Sequence, residues 1–203
     1  MSNEHLDEKT LYKSLSKAFR KDNCEIYRNV YILLDGIRHE VDILMIYDGI
    51  AILMNINGKE KATNATIKES IKHNDDQDRK FLLAIHNTIT HSIKNNCYVY
   101  GDRNNKIYID LSAIKLIIRV PLVYKHVKST DGLIADGIIN YEVQRKNEYY
   151  WLIHIQLTYT SMIYIAEYCY DKGIHIDEFF KHITTISSID GYMRLNLDSF
   201  YFV

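Results

Sequence analysis

The amino-acid sequence predicts a mixed α/β fold of the α+β kind. Its order is a helix, an antiparallel three-strand meander, a second helix and a strand, followed by a C-terminal hairpin and helix extension. Two observations carry this expectation. The pairs Asp35-Gly36 and Asp48-Gly49 each separate runs rich in β-branched and aromatic residues, a strong short-range hairpin signal. On both sides of that region, apolar residues recur at the three- and four-residue spacing of an amphipathic helix.

Taken in order, Leu11, Leu15, Ala18 and Phe19 mark one face of a first helix between Asp7 and Asp22, with lysines between them. The two Asp-Gly turns then divide Glu25 to Leu34, Ile37 to Tyr47 and Ile50 to Asn57 into three strands, and Gly58 ends the last. Lys59 to Asp78 is polar and reads as a loop or short helix, after which Phe81, Leu82, Ile85, Ile89 and Ile93 mark a second long helix. Cys97 to Tyr100 is a short strand, and Asp102 to Asn105 a polar turn. Lys106 to Leu111 and Ile114 to Val123 read as strands, with Pro121 predicting a sheet edge or a break. Ile138 to Gln144 and Tyr149 to Leu157 form a hairpin around Arg145-Lys146-Asn147, and Ser161 to Asp171 and Asp177 to Ile183 are helical. The tail alternates Met193, Leu195 and Leu197 with polar residues, the period of a half-exposed strand. Residues 1–100 read as an α/β core and 101–203 as an extension packed on it; one compact unit accommodates the same pattern.

Composition narrows the function classes. Of 203 residues, 47% are hydrophobic and 25% charged, which is globular and excludes disorder as the main state. Lys+Arg number 25 against 26 Asp+Glu, so a broadly basic, nucleic-acid-coating surface is excluded and any such contact needs a local patch. One proline and 17 tyrosines, with abundant Ile, Asn and Lys, point to an AT-rich genome. Cys24, Cys97 and Cys169 form no CxxC pair and no even framework, so they read as buried or inert thiols of a reducing compartment. The polar start MSNEHLDEKT carries no secretory or transit pattern, and Tyr149 to Ala166 is too polar for a bilayer span. A cytoplasmic location with no membrane contact is the expectation.

The first hundred residues also hold the strongest chemical pattern. Glu40-Val41-Asp42 precedes an apolar strand, the turn at Gly49 and a second apolar strand. Metal-dependent nucleases need carboxylates converging from adjacent strands on Mg²⁺, with a lysine two residues beyond the second acid, because only i and i+2 share a strand face. Residues 7 to 100 resemble the PD-(D/E)XK nuclease superfamily, and most closely its nuclease-related domain family, NERD. The matching positions are Glu8 on the leading helix, Glu40 and Asp42 in HEVDILMIYDG, Gly49, and Gln77 in DDQDRKFLLAIHNTI.

The resemblance implies a restriction-endonuclease-like core and a Mg²⁺-dependent phosphodiesterase acting on DNA or RNA. Asp42 would be the primary metal ligand, Glu8 or Glu40 an auxiliary acid, and Gln77 a substrate or fold contact. The pattern departs where the family carries Glu and Lys: the count lands on Asn55 and Asn57. Asparagine offers a carbonyl but no charge, so Asn55 is a weak second ligand at best and Asn57 no lysine. Lys59 or Lys61 could reach in from the strand end. The resemblance therefore implies impaired or absent chemistry. The bland reading of Asp42 is a strand-end carboxylate capped by neighbouring amides, and of Asn55 and Asn57 two polar residues beside a turn. The competing classes are a non-catalytic descendant of that fold that binds nucleic acid or protein, and a protein-interaction or structural module with no nucleic-acid role, either from a virus, plasmid or other mobile element.

A second motif lies in the other half, where Glu142-Val143-Gln144 follows Asp131 and Asp136 and precedes a Tyr-rich helix. It resembles the nuclease-type transposase-associated family; a polar strand running into a hairpin explains it as well. His86 and His91 are five apart and do not make a helical zinc pair, and His175 and His182 flank a short acidic segment at the surface. Tyrosines 98, 100, 108, 141, 149, 150 and 159 cluster near Lys and Arg. Exposed on a sheet they would stack on bases; the competing expectation is that they fill the core.

Overall fold

A computed structural model describes residues 3–57, 83–91, 96–123, 138–145, 151–179, 185–188 and 191–194, with single positions 80 and 93. The first helix, α1, spans Asn3–Phe19, and Leu11, Leu15, Ala18 and Phe19 are all buried, as their spacing predicts. Strands β1 (Glu25–Leu34), β2 (Ile37–Tyr47) and β3 (Ile50–Asn57) form the antiparallel meander. Both hairpin turns place Asp and Gly at positive φ: 51° and 76° at Asp35-Gly36, 44° and 75° at Asp48-Gly49. Two consecutive left-handed residues match the twist of the flanking strands, and Asp-Gly adopts them with little strain. At Gly49 the close approach is also fixed, because a Cβ there would lie 3.1 Å from the Ala113 carbonyl oxygen.

The remaining strands of the main sheet are β4 (Cys97–Tyr100), β5 (Lys106–Tyr108), β6 (Leu116–Val123), β7 (Ile138–Arg145) and β8 (Trp151–Thr158). The eight strands form one mixed sheet in the order β5-β4-β1-β2-β3-β6-β8-β7. Strands on both sides of residue 100 share it. Cys97–Tyr100 is a strand, but it joins β1 on the far side of the meander; the neighbour of β3 is β6, running parallel to it. Gly49 anchors that arrangement, its carbonyl accepting the N–H groups of Lys115 and Leu116 at 2.8 and 3.2 Å.

Pro121 neither ends nor breaks β6, contrary to the sequence expectation. Pairing with β3 runs unbroken through Asn55↔Pro121, whereas pairing with β8 skips from Arg119↔His154 to Leu122↔Leu157. The missing proline N–H thus falls on the β8 side, and the interruption is confined to two positions of that ladder. A separate two-stranded sheet pairs β9 (Thr185–Ser188) with β10 (Gly191–Arg194); the expected strand pattern past Arg194 lies outside the described residues.

Two apolar layers flank the main sheet. On one face, α1 and the helix α3 (Tyr159–Lys172) pack over Ile43, Met45, Ile50, Ile52, Met54, Ile118 and Val120. On the other, the helix α2 (83–90) brings Ala84, Ile85 and Ile89 against Val30, Ile32, Val41, Leu53 and Ile117. Ile93, expected on the α2 face, lies beyond the helix and is exposed; Phe81 and Leu82 lie outside the described residues. The described part of the apolar run, Trp151 to Ala166, is a strand followed by a helix, as its polarity suggests, and among the described residues no helix is long and apolar enough to cross a membrane.

At the end of α3, Gly173 (φ 62°) forms a Schellman cap: its N–H bonds the Tyr170 carbonyl at 3.1 Å and the Ile174 N–H bonds that of Cys169 at 2.8 Å. The chain then enters a short helical turn at 176–179. Its first residue, Ile176, donates its N–H to Asp22 Oδ2 at 2.9 Å, which ties the end of α1 to a segment 154 residues away. Phe19 and Phe179 meet beside this bond with ring centroids 4.6 Å apart.

Candidate functional site

Asp42 lies in β2 at the point where two regular patterns fail together. The β1–β2 register is constant on both sides, with Arg28↔Ile43 and Val30↔Val41, yet no bridge forms between Asn29 and Asp42. Asn29 has φ 54°, a left-handed conformation that Asn tolerates better than most residues. The side-chain alternation inverts here on both strands. Ile43 belongs to the α1/α3 core and Val41 to the α2 core, although they are two residues apart. On β1, Ile26 packs toward α1 while Val30 and Ile32 face α2. A regular strand would keep such pairs on one face.

The β2–β3 ladder ends at the same place, its last pair being Ile43↔Met54. Side chains take over from the backbone there. The Asp42 N–H donates to Asn55 Oδ1 at 3.2 Å, and Asp42 Oδ2 accepts the Ile56 N–H at 2.5 Å. Asp42 and Asn55 are both half-buried. These two positions, which the sequence pairs as metal ligand and weak second ligand, are therefore in contact. A carboxylate receiving a backbone N–H at the end of a ladder is also what the bland reading of Asp42 expects.

Glu40 is exposed and accepts a hydrogen bond from the Tyr31 hydroxyl at 3.2 Å. Glu8 sits half-buried on α1. The backbone of Asn57 continues β3 opposite Val123, and its side chain lies outside the described residues, as do Gln77, Lys59 and Lys61. Of the second motif, Glu142 and Gln144 lie on β7, opposite His154 and Leu152, with β7 last in the strand order. Asp131 and Asp136 lie outside the described residues.

One carboxylate beside a neutral amide is a poorer donor set than Mg²⁺ ordinarily recruits, since that ion takes carboxylate and water oxygens in near-octahedral geometry. Among the described residues no three His, Cys, Asp or Glu side chains come together as a metal-holding group. The described residues do not make a complete Mg²⁺ site.

Asn29 is the residue that sequence reasoning overlooked. Its Oδ1 is buried with no hydrogen-bond partner among the described residues, and an unmet buried acceptor costs about 1–3 kcal/mol. The available signal was an asparagine inside an otherwise β-branched and aromatic run, where Asn is depleted.

A second feature lies along α1. Tyr12, Lys13, Ser16, Lys17 and Arg20, with Cys24 and Ile26 of the following segment, line a cavity of about 560 Å³. Three basic residues are among its lining, and the Lys17 ammonium sits 3.8 Å from the centre of the Tyr170 ring. The thiols offer no nucleophile. Burial, with Asp22 and Glu25 adding to it, pushes Cys24 up to about 12, and burial alone raises Cys97 to about 12 and Cys169 to about 11.

Comparison with protein-family models and with curated proteins finds no match to this chain.

Proposed function

We propose that this chain is a degenerate PD-(D/E)XK-like protein that binds or acts on nucleic acid, with Mg²⁺-dependent phosphodiesterase activity impaired or lost. The observation that carries the reading is the contact between Asp42 and Asn55, 3.2 Å from amide to side-chain oxygen, at the end of the β2–β3 ladder. It joins the two positions that the sequence resemblance aligns as a metal-binding pair, and the second of them has lost its charge. The cationic cavity of Lys13, Lys17 and Arg20 supplies the local patch that a chain of net charge -1 needs in order to hold phosphates.

The chemistry follows from the donor set. Asp42 holds its carboxylate against the Ile56 amide, and Asn55 contributes a neutral oxygen already shared with the Asp42 amide. Neither supplies the second negative charge or the ammonium that would activate water beside a scissile phosphate. Restoring both is the test. The double variant N55E/N57K, incubated with labelled DNA and RNA and Mg²⁺ or Mn²⁺, is expected to cut, and adding D42A is expected to abolish the cutting. A double variant that folds as the natural chain does and leaves every substrate intact, together with no salt-dependent binding by the natural chain, would sink the proposal.

A further inference from the structure

At the other end of the sheet, four tyrosines lie on one face. In register, Tyr108 pairs with Tyr98, Tyr98 with Tyr31, and Tyr31 with Glu40, so a single row crosses β5, β4, β1 and β2. Tyr100, two residues along β4 from Tyr98, joins them. Ring centroids are 5.5–6.2 Å apart, mostly edge to face: Tyr31 to Tyr98 and Tyr100, and Tyr98 to Tyr100 and Tyr108. Two cations lie against the rings. The Arg38 guanidinium is 4.6 Å from the centre of Tyr31, and the Lys106 ammonium is 4.3 Å from the centre of Tyr98.

The cluster does not belong to either apolar core. Val30, Ile32, Cys97 and Val99 on the same strands point into the α2 core, so by alternation Tyr31, Tyr98 and Tyr100 point to the opposite face. That is the face on which α1 packs over the start of β1, through Ile26. Tyr98 is the buried floor, whereas Tyr100 is 43% exposed and Tyr108 50% exposed. Two rings thus remain open to solvent on the sheet, held by their neighbours and flanked by Arg38 and Lys106, while Glu40 is engaged by the Tyr31 hydroxyl. The cavity beside α1 includes Ile26, on the same side of β1, in its lining. From Ile26 to Tyr31 the strand advances five residues, roughly 16 Å at ~3.3 Å each.

We infer that this tyrosine face binds single-stranded nucleic acid, with bases stacking on Tyr100 and Tyr108 and phosphates running past Arg38 and Lys106 toward the Lys13, Lys17 and Arg20 cavity. Exposed rings on a sheet accept any base because every base has a π-face, and a duplex hides those faces inside its own stack. The cations complement a phosphate backbone, and a second copy of this chain would bring the same cations against one another. The inference shares with the preceding proposal the class of partner, but uses neither Asp42 nor a metal, so either can fail alone.

The experiment is fluorescence anisotropy of the full chain with a labelled 20-nucleotide poly-dT strand, poly-U, and a duplex of equal length, in EDTA. Single strands are expected to bind at least tenfold more tightly than the duplex. Y100A/Y108A is expected to lose at least tenfold affinity with its circular dichroism unchanged, whereas Y100F/Y108F keeps it, since stacking needs the ring and not the hydroxyl. R38Q/K106Q is expected to flatten the dependence of log affinity on log salt by roughly 1.4, about 0.7 for each phosphate contact on a single strand. Equal binding of strand and duplex, or undiminished binding by Y100A/Y108A, overturns the inference. So does a natural chain that sediments as a dimer which Y100A/Y108A dissolves, because the rings would then be covered by a second copy.

Discussion

Removing the Asp42 carboxylate distinguishes a group that holds the sheet together from one kept for chemistry at the expense of stability. In the folded chain Asp42 Oδ2 accepts the Ile56 N–H at 2.5 Å, where the backbone ladder between β2 and β3 has already ended. Truncation to alanine leaves that half-buried amide without its charged acceptor, and hydrogen bonds to charged groups are worth about 1.5–3 kcal/mol. The Asp42 N–H to Asn55 survives the change, because its donor is backbone. D42A should therefore lose about 1.5–3 kcal/mol, and D42N, which retains an oxygen but not the charge, about half of that. In urea, with a slope of about 2 kcal/mol per molar, the D42A midpoint should fall by roughly 1 M at unchanged slope. An unchanged or raised midpoint would refute the reasoning. It would mean that the carboxylate is not holding the ladder end, and that its place there must be explained by function alone.

Two further outcomes follow from groups outside that site. Asp22 is 7% exposed and accepts the N–H of the fully buried Ile176 at 2.9 Å. D22A should cost about 1.5–3 kcal/mol in the same urea experiment, and an unmoved midpoint would show that the end of α1 and the turn after α3 are not tied there. Burial raises the Cys97 thiol from 9.0 to about 12. At pH 8 its thiolate is then about a thousandfold scarcer than in an unfolded chain, so iodoacetamide should label native Cys97 about a thousandfold more slowly. A raised thiol keeps its proton in the folded state after the unfolded chain has released one. The associated stability is present below pH 9.0 and is lost as pH rises toward 12. Native labelling as fast as in urea would refute the burial argument, as would stability that rises over that alkaline interval.

The elements were legible in the sequence wherever one local cause fixes them. The Asp-Gly pairs had to be hairpins because two successive positive φ angles suit few other residues, and the α1 face could be read from Leu11, Leu15, Ala18 and Phe19. Strand order was not legible. Placing β6 beside β3 requires a long parallel connection, and no local pattern distinguishes that neighbour from Cys97–Tyr100. Pro121 misled because sequence shows a missing donor but not which neighbouring strand would have received it. The pairing of Asp42 with Asn55 could be read from spacing across a two-residue turn. The bond from Asp22 to Ile176 could not, since it joins residues 154 apart.

The least legible feature is also the one that arranges the surface. Strict alternation along Glu25–Leu34 would place Ile26 with Val30, Ile32 and Leu34, and leave Tyr31 on the opposite side from all four. The structure instead inverts β1 at Asn29 and β2 at Asp42 together. Because both strands invert, their register survives, with Arg28↔Ile43 before the inversion and Val30↔Val41 after it. The consequence is an exchange of faces. Val30, Ile32 and Val41 complete the α2 core, and Tyr31 and Glu40 turn to the α1 side. Without the inversion the phenol and carboxylate would enter the α2 core, where a buried charge without full pairing is costly, and the aliphatic residues would emerge beside the tyrosines of β4. A near-neutral chain thereby assembles an aromatic, cation-bearing face from residues that its sequence scatters. Asp42 earns its place twice in this account: as the acid nominated by spacing, and as the side chain that closes the ladder where the sheet turns itself over.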